Sequence, residues 1–265
     1  MKLKPLSLVL MATLGAPLAV QAAETSPHSF SANIGATSDY LFRGISQTGH
    51  DAAIQGGVDY AHSSGLYLGV WGSNVGWIED YQGYDSGSIE LDFYGGFRNS
   101  IGDTGISYDV GAIQYYYPGD RSGKIANANT TELYAALGWK WFSVKYSHTV
   151  SDGSFGFANA DGSNYLDISA SVPIGETGLT AGVHWGTFNF ENWGGQDYDD
   201  WKVSLAYDMS KLSDKLEGVT FGVAYSDTDT LKGNGTAFSA PWTDVNGEDL
   251  GEGRAYAWIT KSFAF

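Results

Sequence analysis

Acids and bases recur inside stretches that are otherwise apolar. Asp39, Arg43, Asp59, Glu90, Asp92, Asp109, Glu132, Lys145, Asp167 and Lys202 stand this way, joined by Arg98, Lys140 and Asp208. An unpaired charge among apolar groups is costly, so such residues must face water or one another. Charges of both signs at strand spacing allow two chemistries. They can pair across a narrow interior and fill it, or they can line a watery passage for small hydrophilic solutes and cations. The sharpest instance is SDYLFRGISQT at 38–48, where Arg43 stands between Phe42 and Gly44 in an aromatic-rich segment.

Other chemistries find less support. Ser147 and His148 are adjacent, but neighbours on a strand point to opposite faces, so this spacing cannot make a nucleophile and its base. No G-x-S-x-G motif occurs. His148 and His184 read as ordinary strand residues, and an outer-membrane lipase stays only as an alternative. The runs SDTDT (226–230) and DYDD (197–200) gather carboxylates without the twelve-residue calcium loop, and read as solvated acids. The sequence predicts no metal, cofactor or enzymatic activity. A formal net charge of −16, falling to −18 once Lys2 and Lys4 leave with a leader, argues against nucleic-acid partners. With no cysteine, the fold must hold by pairing and packing alone.

The elements that position these residues are strands. In LYAALGWKW (133–141), Leu133, Ala135, Leu137, Trp139 and Trp141 alternate with Tyr134, Ala136, Gly138 and Lys140. FSVKYSHTV (142–150), YLDISASVPI (165–174) and WKVSLAYDM (201–209) repeat the design. Twelve such segments are predicted, at 29–46, 52–62, 65–75, 88–100, 106–118, 130–141, 142–152, 164–174, 179–188, 198–209, 218–229 and 254–265. Short connections follow the even-numbered segments and longer ones, such as 77–87 and 231–253, follow the odd. A soluble sandwich also alternates, but it gives no reason for loop length to alternate as well. The pattern predicts an all-β fold: a transmembrane, antiparallel, up-and-down β-barrel of about twelve strands, apolar towards lipid and polar within.

Both ends of the chain fit that reading. Lys2 and Lys4, the apolar run LSLVLMATLGAPLAV and Val20-Gln21-Ala22 form a signal peptide over 1–22, leaving 23–265 as a single barrel domain. The chain finishes KSFAF, and alternating Phe263 and Phe265 resemble the terminal signal read by barrel-assembly machinery. Trp71, Trp77, Trp139, Trp141, Trp185, Trp201, Trp258, Tyr115, Tyr116, Tyr117 and Tyr198 fall near strand ends, where aromatic girdles meet the outer-membrane interface and its lipopolysaccharide. Counting by two from Ser31 puts Asp39 and Arg43 in the lumen, with Tyr40 and Phe42 towards lipid.

The segments SDYLFRGISQT, AAIQGGVDY (52–60), GLYLGVWGSNV (65–75), IELDFYGGF (89–97) and YYYPG (115–119) resemble the proteobacterial Gcw_chp family, also called the TorF porin family. The resemblance is densest before residue 120. It implies an outer-membrane barrel with a porin role, and it brings no catalytic residues and no established substrate.

These readings lead to a passive channel for small hydrophilic solutes. Eight predicted lumen acids against five bases give it a mild preference for cations. The alternative is a plugged structural or recognition barrel acting through its long loops.

Overall fold

The computed structural model describes residues 26–123, 125–229, 242–244 and 247–265. The expected signal peptide and residues 231–241 of the last long loop lie outside the described residues. In chain order the strands are β1 (His28–Thr37), β2 (Leu41–Phe42), β3 (Ile45–Ser46), β4 (Ala53–His62), β5 (Leu66–Asn74), β6 (Ile89–Ser100), β7 (Ile106–Tyr116), β8 (Thr130–Trp139), β9 (Phe142–Thr149), β10 (Gly153–Ser154), β11 (Phe157–Ala158), β12 (Asn164–Pro173), β13 (Leu179–Asn189), β14 (Tyr198–Asp208), β15 (Val219–Thr228) and β16 (Arg254–Ala264). The pairs β2–β3 and β10–β11 are small hairpins, and the other twelve strands close into one antiparallel barrel. Closure is made by β1, which pairs with β4 on one side and β16 on the other.

Side-chain period decides which way each strand faces. Ile34, Ile54, Val58, Leu68, Leu133, Leu137, Val203 and Val223 are exposed on the outer wall. Their neighbours of opposite parity are inward and mostly small or polar. A closed ladder leaves no backbone edge for lipid, which is the condition for crossing a bilayer with strands. Connections on one rim are short at 63–65, 101–105, 140–141 and 174–178, and the one at 209–218 is the exception. Those on the other rim are longer, at 38–52, 75–88, 117–129, 150–163, 190–197 and 229–253.

Two expectations need correction. The first strand ends at Thr37 instead of running to residue 46; the chain leaves the wall at Ser38 and turns back into the lumen as the β2–β3 hairpin. Tyr40 and Phe42 therefore do not face lipid and are 3% and 6% exposed. The second concerns the girdles. Trp139, Trp141, Trp185, Trp201 and Tyr116 are exposed on the outer wall, but Trp71, Trp77, Tyr115, Tyr117 and Tyr198 are buried inside, and Trp258 lines the interior. Apolar mass is needed outside the wall for the interface and, at the long-loop end, inside it for the folded loops.

Candidate functional site

The core of this barrel lies within the lumen, at the long-loop end. Tyr40, Phe42 and Ile45 from the inward hairpin meet Trp77 and Ile78 of a single helical turn, α1 (Trp77–Asp80). Phe155, from the turn between β10 and β11, joins them with Phe188, Tyr198, Trp242 and Leu250. Aromatic pairs knit the cluster, with Phe42 5.5 Å from Tyr115, Trp77 5.1 Å from Tyr117, and Phe155 6.0 Å from Phe188. The loops thus form a plug seated on inward-facing strand residues.

Arg43 is the peg of that plug. The hairpin turns through Arg43 and Gly44, both with positive φ (49° and 82°), as a type I′ turn requires. Gly44 also packs so closely that a Cβ there would come within 2.4 Å of Thr228 and 2.7 Å of Asp200. An arginine held left-handed costs about 1–2 kcal/mol relative to ordinary backbone. What holds it is Glu132 of β8: Nη1 donates to Oε1 at 2.8 Å and Nη2 to Oε2 at 2.7 Å. The guanidinium also lies 4.3 Å from the Tyr165 ring centre, 4.7 Å from Phe188 and 4.8 Å from Phe42. Asp39 braces the same hairpin, accepting from Ser46 at 2.7 Å and contacting His50 at 2.9 Å. So Arg43 reaches the lumen as the sequence implied, but from a turn rather than a strand.

The remaining predicted residues fall into three groups. Glu90 and Asp92, with Glu132, are fully buried beneath the plug; Tyr117 donates to Glu90 at 3.0 Å, and neither oxygen of Asp92 is hydrogen-bonded. Asp59, Asp109 and Lys145 belong to a filled wall. There Tyr94 donates to Asp59 and Tyr67 to Asp109, each at 2.6 Å, while Tyr134 contacts the Tyr67 hydroxyl. Arg98 lies over the Tyr67 ring and Lys145 over the Tyr134 ring, both at 4.3 Å. These tyrosines lie across the interior because Gly69 and Gly111 leave room: a Cβ at either would come within 2.5 Å of Tyr94 or Tyr134. Asp39, Asp167 and Lys202 reach a cavity on the opposite wall.

That cavity has a volume of about 210 Å³ and runs beneath the hairpin along β12–β16, β1 and β4 towards the short-turn rim. Asn33, Gln55, Ser169, Thr180, Ser204 and Thr260 give it a hydroxyl and amide lining, with Trp71 and Trp258 as its larger apolar surfaces. His184 lies at its edge, engaged by Asp167 at 3.1 Å and Asp200 at 2.9 Å. The sequence reads His184 as an ordinary strand residue and Asp200 as a solvated acid, yet Asp200 is 2% exposed and also accepts from Tyr165 at 2.7 Å. Parity carried the signal, since residues 198, 200 and 202 share one face of β14. Lys140 lies in a short-rim turn, and it and Asp208 are exposed rather than luminal. As the sequence implied, Ser147 faces inward and His148 does not.

The outer mouth is acidic. Partial burial, then the charges of Asp244 and Glu79, hold the Asp80 carboxyl above its ordinary value. Burial raises Asp249 too, against the Gly251 amide, with Glu252 adding to the rise.

Residues 21–263 match the family described as "Bacterial protein of unknown function (Gcw_chp)". The chain belongs to the Gcw_chp family. Among curated proteins, none matches this Gcw_chp chain. Among solved structures, the KdgM porin shares its fold at a TM-score of 0.50 and 10% identity, over 89% of this chain and 99% of that one. The NanC porin does so at 0.51 and 10%, over 88% and 98%. KdgM has also been seen in complex with disordered oligogalacturonate, at the same TM-score and identity. At such identities the likeness is one of fold, a closed antiparallel β-barrel like those of the two porins.

Proposed function

We propose that this Gcw_chp protein is a porin-like channel for passive diffusion of small hydrophilic solutes, closed at its long-loop mouth by the β2–β3 hairpin. One observation carries the reading: a hydroxyl-lined cavity runs inside the barrel, and what stops it is a hairpin that contributes nothing to the barrel ladder. A stopper outside the ladder can move without opening the wall. The protein works in the outer membrane among lipid and lipopolysaccharide, after loss of residues 1–22 and insertion by assembly machinery that reads Phe265. Exposure of Phe265 and Phe263 is compatible with that.

Among simple ions we assign a mild preference for cations. Burial is the main cause that raises Asp80 and Asp249, but the charges of Asp244 and Glu79 on one and of Glu252 on the other add to it, and a cleft of one sign concentrates counter-ions. The second reading is a plugged structural or recognition barrel, favoured by the aromatic packing of the long-loop half. Current through refolded protein in a planar bilayer separates the two. Discrete conductance steps and a cation-directed reversal potential under a salt gradient support the channel, and a persistently silent bilayer with folded protein rejects it.

A further inference from the structure

We propose that the side cavity is a binding subsite for a small hydroxylated carboxylate, a hydroxy acid or uronic acid, and that Lys202 holds the carboxylate. The inference rests on the channel reading, because it names the class of solute that the passage takes.

Most of the charged side chains that reach the cavity already have partners. Asp39 is committed to Ser46 and His50, and Asp167 to Ser169 at 2.7 Å and His184 at 3.1 Å. Asp200, two residues from Lys202 on the same strand face, is committed to His184 and Tyr165. His184 has both ring nitrogens engaged. Lys202 is different: among the described residues no hydrogen bond or ion pair involves its side chain, and its neighbours across the ladder are His184 and Ser226. A half-buried ammonium that the protein leaves unpaired offers its donors to a solute, and a charge-assisted bond to a carboxylate is the strongest it can form there.

The rest of the wall selects what accompanies that carboxylate. Hydroxyls and amides alternate with the small faces of glycine and alanine, so a solute rich in hydroxyls can exchange its water for wall contacts. Trp258 and Trp71 supply flat apolar surface for the carbon skeleton. At about 10–15 Å³ per water, 210 Å³ holds on the order of fifteen waters, comparable to the heavy atoms of one hexuronic acid.

The test is calorimetric titration of the refolded full-length barrel in detergent, where the short-turn rim is open to solvent, with D-glucuronate and with D-glucose. Wild type should bind glucuronate at least about tenfold more tightly than glucose. Lys202→Met should lose that margin and leave glucose binding within about twofold, and Lys202→Arg should keep the margin. Equal affinities in wild type overturn the proposal, as does a margin that survives Lys202→Met. The wild-type comparison stands even where a variant does not refold. Bilayer conductance keeps the two readings apart: a conducting barrel with equal affinities refutes the subsite alone, and a silent barrel that prefers glucuronate refutes the channel alone.

Discussion

Replacing Arg43 by alanine should open the barrel without dismantling it. The side chain belongs to a hairpin outside the ladder, so its loss is felt at the seat of the plug. Tyr40, Phe42 and Ile45 bury fully there, and at about 1.5–3 kcal/mol each they hold the hairpin with roughly 5–9 kcal/mol. Removing one partner of a buried ion pair costs about 3–5 kcal/mol, because Glu132, at 0% exposure, loses both hydrogen bonds from the guanidinium. The substitution thus cancels about half of what seats the hairpin. At 1.4 kcal/mol per factor of ten, the ratio of closed to open barrels should fall by about two to three and a half orders of magnitude. Single-channel recording measures this as open probability, with heat-modified gel mobility confirming an intact barrel. The double substitution Arg43→Met with Glu132→Leu should return the channel towards the closed state, since an apolar pair leaves no stranded carboxyl. An Arg43→Ala barrel that is folded and gates like wild type would refute the peg, and a double variant as open as the single would refute the stranded carboxyl as the cause.

Other positions test the same architecture. Gly44→Ala meets Thr228 and Asp200 and must hold a left-handed backbone, so open probability should rise as with Arg43→Ala, from a cost of at least about 1–2 kcal/mol; unchanged gating would show that the turn can relax. Val203 faces lipid and Ser204 the cavity. Val203→Arg should therefore destabilise the barrel in a urea refolding titration by about 2–4 kcal/mol and Ser204→Arg by much less, whereas equal losses would reverse the assigned faces. Acidification should weaken the cation preference, because protonation removes mouth charge, and the raised carboxyls of Asp80 and Asp249 take up protons before ordinary acids do. A reversal potential that does not move as pH falls into the carboxylate range would place selectivity elsewhere.

Strand positions and faces were legible because lipid and lumen impose a strict period of two, and Leu133 through Trp139 keep it without a break. The alternation of loop length was legible for the same reason, since it follows from the up-and-down path. SDYLFRGISQT misled because a two-residue hairpin keeps the same period as the strand it leaves; Gly44 was the one local sign of a turn. The inward aromatics were readable in principle. Trp71 shares parity with Tyr67, Gly69 and Ser73, and Tyr115 with Asp109 and Gly111, so parity outweighs nearness to a strand end. What could not be read is the pairing of Arg43 with Glu132 across 89 residues, or of His184 with Asp200, because these depend on how the barrel is staggered and on which loops turn inward. Ser147→Arg, harmless on the parity of its strand, is excluded by the same packing, since Ser147 is 1% exposed beneath neighbouring side chains.

The tyrosines laid over glycines along β5–β8 give the barrel two unlike walls. One is braced across its width by hydroxyl and carboxylate contacts, and the other borders the cavity, mostly through short side chains. A cylinder stiffened on one side yields on the other, so a thinner or laterally compressed bilayer should flatten the cavity wall first. The bore would then answer to the surrounding lipid while the plug, seated against the braced wall by Glu132, Glu90 and Tyr117, stays where it is.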